Sequence, residues 1–301
     1  MSTNSRPLEG PKDPVPADRI STRNDREARS DGKYVVYWMI ASRRTRSNHG
    51  LDRAIAWAQE LGKPLVILEA LRVGYRWSSP RLHRFVIDGM AANQATCADA
   101  TVRYYPYVEP EAGAGAGLLR ALSKDAAVIV TDHFPCFFLP RMVDAAAGKV
   151  ACKLESVDSN GLLPLSVAGK AFPTAYAFRR FLQKTLPDHL DEVPTSDPFD
   201  GLELKRLPKK ALSSIQEKWP SAPLDSIDDA WIAALPLESG LSPLEVRGGS
   251  DAAHARLDHW VETIDRYVDD RNQPDTDATS GLSPYLHFGH IGSTEVIGRL
   301  L

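Results

Sequence analysis

The segment Thr279-Ser-Gly-Leu-Ser-Pro284 places hydroxyl side chains directly before a predicted helix that has proline in its first turn. Hydroxyls and free backbone N–H groups at a helix start can bind an anion, and the helix dipole favours negative charge there. The pattern therefore predicts a possible phosphate or diphosphate site. Ser and Thr are also the usual cap residues, so on these residues alone capping of the helix is the simpler interpretation.

A second polar group follows the first predicted strand. Residues 42–49 form a loop that contains Arg43, Arg44 and Arg46, and Asp132 follows the fourth predicted strand. Ligands of open α/β sheets bind outside the carboxyl ends of the strands, so both groups lie at the edge where a ligand is expected. The alternative, which is the commoner case for a run of charges, is that the three arginines form a solvated loop.

Two other patterns carry less chemistry. Gly113-Ala-Gly-Ala-Gly117 resembles a phosphate loop, but a dinucleotide fingerprint requires G-x-G-x-x-G directly between strand and helix, and Leu118 takes the sixth position. A flexible turn is the better interpretation. The three cysteines, Cys97, Cys136 and Cys152, contain no CxxC pair, so the sequence predicts neither a disulfide framework nor a metal site.

The elements that must position these groups alternate along the first half of the chain. Short apolar runs predict strands at residues 34–40, 64–70, 101–108, 126–131 and 150–157. Helical patterns separate them at residues 51–61, 80–98, 118–122 and 139–147. This alternation predicts an α/β fold with a parallel, doubly wound sheet.

The second half of the chain has a helical pattern. We expect a helix at residues 175–186, then a proline-rich and charged connector over residues 187–223 without a strand. From Ser250 one apolar stripe indicates a long helix ending near Tyr267; it comprises Ala253, Leu257, Trp260, Val261, Ile264, Tyr267 and Val268. A last helix, with Ser293 as its cap, reaches Leu301 without a stop signal, so this helical domain is expected to be cut short.

Composition narrows the cellular setting. Residues 1–32 are polar and contain proline, which predicts a flexible tail without a secretory signal. No apolar run approaches the ~20 residues of a membrane span, so a cytoplasmic protein without membrane contact is expected. The formal net charge of −3 gives no overall positive field for nucleic acid, although a local basic face is compatible with it.

One long segment resembles a known family. The run Tyr267…Asp270-Arg-Asn272…Pro274…Thr279-Ser-Gly-Leu-Ser-Pro-Tyr-Leu-His-Phe-Gly289 is similar to the start of the FAD-binding domain of DNA photolyases, most closely the class II cyclobutane-dimer branch. Tyr37-Trp-Met39, Val130-Thr-Asp132 and Val157-Asp-Ser-Asn160 also resemble family positions. The resemblance implies that Tyr267, Thr279, Ser280, Gly281, Leu282 and Ser283 contact FAD.

The same resemblance implies the organisation and activity of the protein. After the tail, residues 33–170 would form a Rossmann-like antenna domain, residues 171–224 a helix and connector, and residues 225–301 the start of an all-α FAD-binding domain. Light-dependent repair of pyrimidine dimers in DNA by reduced FAD is the implied activity, in a monomer. A second antenna chromophore, folate or deazaflavin, is possible, but the loop after the first strand departs from the family pattern.

The resemblance names no catalytic residue, because the family's dimer-contacting groups lie further along than Leu301. The six tryptophans, Trp38, Trp57, Trp77, Trp219, Trp231 and Trp260, are outside that region and are expected to be packing residues. Three alternatives stay open. They are a cryptochrome-type blue-light receptor, a non-catalytic photolyase remnant, and an unrelated nucleotide-binding α/β enzyme such as an adenylyl transferase.

Overall fold

A computed structural model describes residues 15–238 and 240–301. Six strands form one sheet: β1 (Ile20–Thr22), β2 (Tyr34–Met39), β3 (Leu65–Leu71), β4 (Arg103–Val108), β5 (Ala126–Asp132) and β6 (Lys153–Val157). Their order is β1-β6-β5-β2-β3-β4, and every pairing is parallel except that of β1 with β6. The predicted doubly wound α/β fold and its five parallel strands are confirmed.

Twelve α-helices are found in the described residues. They are α1 (His49–Glu60), α2 (Pro80–Ala98), α3 (Leu118–Ser123), α4 (Leu139–Ala147), α5 (Leu165–Ala168), α6 (Ala175–Thr185), α7 (Ser213–Lys218), α8 (Asp229–Ala233), α9 (Ser250–Glu262), α10 (Tyr267–Asp270), α11 (Ser283–His287) and α12 (Ser293–Leu300). The predicted helices at residues 80–98 and 139–147 are confirmed at both ends. In α2 this follows from local chemistry, since Ser79 Oγ accepts from Leu82 N–H at 3.3 Å and Pro80 begins the helix.

The strands of the sheet centre are apolar because both of their faces are covered. All six residues of β2 are buried, and so are all seven of β5. One face carries α1 and α2, and the other carries α3 and α4 with the connector residue Trp219. The covered sheet therefore supports any site formed at the carboxyl ends of its strands.

The predicted flexible tail needs correction for residues 15–32, whereas its residues 1–14 lie outside the described part of the chain. Strand β1 adds an antiparallel edge to β6, and the buried Arg19 donates to the carbonyls of Gly161 at 3.1 Å and Leu162 at 2.7 Å. At Gly32 a Cβ would lie 2.4 Å from Ala127 N. Hydrogen bonds and close backbone approach order this polar segment, and apolar periodicity does not register either of them.

The connector contains no strand, as predicted, and is anchored along the sheet edge. Ala222 N–H donates to Pro106 of β4 at 2.9 Å, and the Tyr105 hydroxyl donates to the carbonyl of the buried Trp219. No helix of the described residues is long and apolar enough to cross a membrane.

The predicted long helix from Ser250 to Tyr267 is interrupted. Helix α9 ends at Glu262, a 3₁₀ turn spans Ile264–Arg266, and α10 begins at Tyr267. Thr263 explains the break, because its hydroxyl bonds the carbonyls of its own preceding turn at 3.2 Å. Helix α12 begins at Ser293 with Gly292, instead of Ser293, in the cap position.

Candidate functional site

At the carboxyl ends of β2 and β5, the side chain of Asp132 organises the loop that follows β2. Its Oδ2 accepts backbone N–H groups of Ile40 at 2.8 Å, Ala41 at 2.7 Å and Ser42 at 3.0 Å. Its Oδ1 accepts the Tyr37 hydroxyl at 2.6 Å, and the pKa of Tyr37 is raised well above its usual value by burial. Asp132 therefore holds protein backbone at the position where a ligand was expected.

The interpretation of residues 42–49 as a solvated loop is wrong. Arg43 and Arg44 are buried and Arg46 is half-buried. Arg43 Nη1 lies 3.0 Å from Glu69 Oε1, and Arg44 Nη1 donates to the Gly289 carbonyl at 3.1 Å. Buried charges require such partners, and here the partners come from β3 and from the segment after α11.

That segment locks the helical part of the chain onto the sheet edge. Gly289 has φ +72°, and a Cβ there would lie 1.9 Å from the Ala41 carbonyl oxygen. The next residue, His290, is fully buried and accepts Gly249 N–H at 2.9 Å, and burial lowers its pKa to about 3. Residues 286–289, Leu-His-Phe-Gly, therefore dock onto the loop after β2, and the glycine allows backbone to pack on backbone.

The glycine-rich run is filled by a carboxylate. Glu109 Oε1 accepts Gly113 N–H at 2.9 Å and Gly115 N–H at 3.0 Å, while its Oε2 accepts Val73 N–H at 3.1 Å. The N–H groups that could hold a phosphate are therefore already paired. The structure supports the sequence-based rejection of a dinucleotide loop here and gives its physical reason.

A cleft of about 1250 Å³ opens on the face of the sheet that carries α3 and α4. Its floor includes Trp38, Leu68 and Tyr107 from three adjacent strands, and its wall includes Phe288, just after α11. Small-molecule sites are typically mostly apolar clefts with a few polar groups, of about 300–1,000 Å³, and this cleft is larger than that range. This cleft, unlike the sheet edge beside Asp132, has room for a ligand.

The cleft is strongly basic among the described residues. Glu109 is the acidic side chain in its lining, and its basic side chains are Arg43, Arg72, Arg76, Arg120, Lys124, Arg141, Lys149 and Lys218. Arg72 lies over the Phe138 ring at 5.5 Å and Arg76 over the Trp77 ring at 4.5 Å. Because aromatic faces alternate with cations, the arrangement suits a planar ligand that carries negative charge.

The prediction that all six tryptophans are packing residues is wrong for one that lies at this cleft. Trp77 was expected to be a packing residue, yet 59% of it is exposed. Trp38, Trp57 and Trp219 are buried, as predicted. The exception lies in a loop after β3 where no periodicity reports burial, and an aromatic residue beside arginines in that loop is the one signal that could have pointed to it.

Four of the six predicted flavin contacts are exposed, namely Tyr267, Thr279, Gly281 and Ser283. The ring of Trp260 in α9 lies 6.2 Å from the Tyr267 ring, and its Nε1–H donates to the Ala278 carbonyl at 3.3 Å. Thr279 and Ser283 are exposed, and 38% of Tyr267 is exposed. Trp260 thus contacts Tyr267 and the residue that precedes Thr279.

Arg256 shapes the turn that contains the remaining predicted contacts. It donates to the Ser280 carbonyl at 2.7 Å and the Thr279 carbonyl at 2.8 Å. Gly281 has φ +64°, and a Cβ there would lie 2.6 Å from Arg256 Nε, so the conformation and the Arg256 contact favour glycine. Leu282 is buried in the helical core, which leaves only its backbone for a ligand.

This donor set fits a phosphate-bearing cofactor. The hydroxyls of Thr279 and Ser283 are exposed at the start of α11 with the half-buried Ser280, and Arg256 adds positive charge nearby. Asp277 offsets part of that charge, because it pairs with Arg256 at 2.6 Å. An anion here would therefore be held mainly by hydroxyls and backbone N–H groups.

The cysteines show no sign of activation. Burial raises the pKa of both Cys97 and Cys152 to about 12, so their thiols stay protonated, and Cys136 is exposed.

Asp18, His189 and Glu192 place ligand atoms within 4.8 Å of one another. Arg19 Nε lies 3.6 Å from Glu192 and supplies the positive charge that a cation would bring.

No family model matches the chain, but individual known proteins are similar to it. A deoxyribodipyrimidine photo-lyase of Methanothermobacter thermautotrophicus is 29% identical over 282 residues, which cover 92% of this chain and 58% of that protein. The deoxyribodipyrimidine photo-lyases of Arabidopsis thaliana and Oryza sativa are 26% and 28% identical, and each match covers 51% of the relative. The chain thus spans about half the length of these relatives.

A solved structure shows the same fold. A bacterial class III photolyase from Agrobacterium tumefaciens superposes with a TM-score of 0.60 at 19% identity, over 88% of this chain and 52% of that one. The sequence matches and the shared architecture together show that this chain is similar to the deoxyribodipyrimidine photo-lyases over the N-terminal part of their length.

Proposed function

We propose that the protein acts in light-dependent repair of cyclobutane pyrimidine dimers in DNA, with reduced FAD as its cofactor. The observation that supports the proposal is that Trp260 of α9 contacts both Tyr267 and Ala278, the residue before the 279–283 turn. The names of the relatives support the same activity. Because the chain spans about half of their length, the activity is proposed for the whole protein.

The residues of this chain would bind and orient the cofactor. Thr279 and Ser283 would donate hydroxyl hydrogen bonds to its phosphates, and Gly281 leaves room for a close approach of backbone. Tyr267 would pack along the exposed edge of the site. When bound, reduced FAD supplies the photoexcited electron that splits the dimer and recovers it afterwards.

Damaged DNA is the proposed partner. A dimer weakens its own base pairing, so flipping it into a pocket costs less than flipping an intact pair. Contacts to backbone phosphates would make the affinity fall as salt concentration rises. The monomeric state and the division into antenna domain (33–170), connector (171–224) and start of the flavin domain (225–301) stay predictions.

The basic, aromatic cleft supports a second proposed ligand. A planar anionic chromophore, such as a folate or a deazaflavin, would find ring faces on Trp38 and Phe138 and cations on Arg72 and Arg141. In this role the cleft would collect light for the flavin. The resemblance left this ligand open, and the shape and charge of the cleft favour it.

The test is the absorption spectrum of the purified 301-residue chain, with released chromophores identified after denaturation. We expect FAD with the wild-type chain and much less with the double variant Thr279→Val, Ser283→Ala. Thr96→Val is the matched control, because its hydroxyl only returns to the Ala92 carbonyl within α2 at 3.1 Å. Equal FAD in the double variant and the control would contradict the proposed cradle.

Repair is then assayed with a thymine-dimer oligonucleotide under blue light with a reductant. Light-dependent loss of dimers supports the repair function over a purely signalling, cryptochrome-like role. A folded 301-residue chain that neither retains added FAD nor repairs the substrate would show that these residues do not suffice for either step.

A further inference from the structure

Two aromatic rings meet at the opening of the cleft. Trp77, in the loop after β3, and Phe137, in the loop after β5, stack with ring centroids 5.8 Å apart and planes 15° apart. Both line the cleft, yet 59% and 51% of them are exposed, so they lie at its opening. Strand β2 lies between β3 and β5 in the sheet, so the stack bridges the two sides of the cleft.

Both residues have a backbone conformation that large side chains rarely adopt. The φ angles are +70° at Trp77 and +63° at Phe137, in the left-handed region. Such strain persists only where surrounding contacts hold it, and it concentrates at ligand clamps. The backbone N–H of Trp77 donates to the carboxylate of Glu238, which comes from a distant segment, while the Phe137 ring packs on Phe138 at 4.8 Å. Contacts other than the mutual stack therefore hold both residues.

A mutual stack of two exposed rings can be exchanged for a stack on a ligand. Both rings keep exposed surface, so a planar molecule that packs on them would gain aromatic contact. Arg76 also lines the cleft and lies 4.5 Å from the centroid of the Trp77 ring, so it places a positive charge beside the stack.

We propose that Trp77 and Phe137 form an aromatic clasp that parts to admit a planar aromatic anion and then packs against its ring, which makes the pair specificity-determining for the cleft. The clasp rests on the proposed role of the cleft as a chromophore site. It adds two named contacts and a gate that slows escape of the ligand.

The experiment uses the full 301-residue chain with two probes, flavin mononucleotide and riboflavin, which share a ring but differ in the anionic phosphate. Binding is followed by flavin fluorescence and by Trp77 emission, obtained as the difference between wild type and Trp77→Phe. We expect the phosphorylated probe to bind more tightly and to change the Trp77 emission.

The variants Trp77→Ala and Phe137→Ala should each weaken this binding about tenfold, mainly through faster dissociation in stopped-flow chase experiments. Phe178→Ala is the matched control, since Phe178 is an exposed aromatic residue of α6 that packs on Phe172 at 5.3 Å, outside the cleft. Phe137→Tyr should retain wild-type rates, which separates loss of the ring from loss of folding.

The clasp is overturned if wild type binds neither probe with a Trp77 response, or if both alanine variants keep wild-type affinity and dissociation rate. Its failure is distinct from failure of the proposed function. FAD retention at the 279–283 turn and dimer repair are separate readouts, and they can succeed while the clasp fails.

Discussion

The contact between the helical part and the sheet edge can be tested at Gly289. Replacing Gly289 with alanine places a methyl group 1.9 Å from the Ala41 carbonyl oxygen, at a residue whose φ is +72°. The neighbouring atoms are backbone, so no flexible side chain can move aside. The loop after β2 and the segment after α11 would have to separate.

The magnitude follows from two costs. A left-handed conformation costs a non-glycine residue about 1–2 kcal/mol. Overpacking a close contact adds about 1–3 kcal/mol. We therefore expect Gly289→Ala to lower the free energy of unfolding by roughly 2–5 kcal/mol. The Arg44 bond to the Gly289 carbonyl, at 3.1 Å, would be strained as well.

The assay is urea unfolding monitored by far-UV circular dichroism and by tryptophan fluorescence. The matched control is Gly298→Ala in α12, where a Cβ would meet nothing within 4 Å. That change should raise stability by up to about 1 kcal/mol, because alanine is the better helix former. The two Gly→Ala variants thus have opposite expected signs.

The reasoning would be refuted if Gly289→Ala unfolded with the wild-type midpoint and slope. A higher urea midpoint for Gly289→Ala than for wild type would refute it as well. A separate early transition, seen by fluorescence alone, would instead show that only the helical part is released, which agrees with a docking role for Gly289.

Two further predictions concern buried polar groups. Asp132→Ala should lower the free energy of unfolding by about 3 kcal/mol or more, since three backbone N–H groups lose their acceptor. The control Asp144→Ala removes an exposed pair with Arg23 and should lower it by under about 1 kcal/mol in the same urea assay. Equal losses in the two variants would contradict the role of Asp132. Burial lowers the pKa of His49 and of His290 to about 3, below the ordinary value of about 6.5. Their neutral folded forms are therefore fully favourable above about pH 6.5 and lose stability as pH falls from there towards 3. Urea midpoints between about pH 7 and 4 should decline, less steeply in His290→Asn, and a flat profile would contradict the assignment.

The elements themselves could be predicted from the sequence because their signals are local. Strand β2 is a continuous apolar run, and α2 begins with Ser79 and Pro80, whose capping chemistry involves neighbouring residues only. The interruption after Glu262 was missed, because the stripe from Ala253 to Val268 keeps its period while Thr263 breaks the helix through its hydroxyl.

The tertiary structure decided which polar groups are buried. The sequence indicated that Arg43 and Arg44 are exposed to solvent. In the fold Arg43 bonds Glu69, 26 positions away, and Arg44 bonds Gly289, 245 positions away. Burial of a charge depends on partners that only the folded chain supplies, so no local pattern reports it. The same reason applies to the segment of β1, which is ordered by pairing with β6.

The candidate sites divide in the same way. The sequence by itself determined the α/β sheet and pointed to the Thr279–Ser283 turn, since glycine, hydroxyl and proline positions are read along the chain. Only the tertiary structure brought Tyr267 and Ala278, which precedes that turn, into contact with Trp260. It also filled the edge at Asp132 with backbone and formed the cleft under Trp77 and Phe137. A cavity is the space left between distant segments, and its shape is therefore set by packing instead of by any one segment.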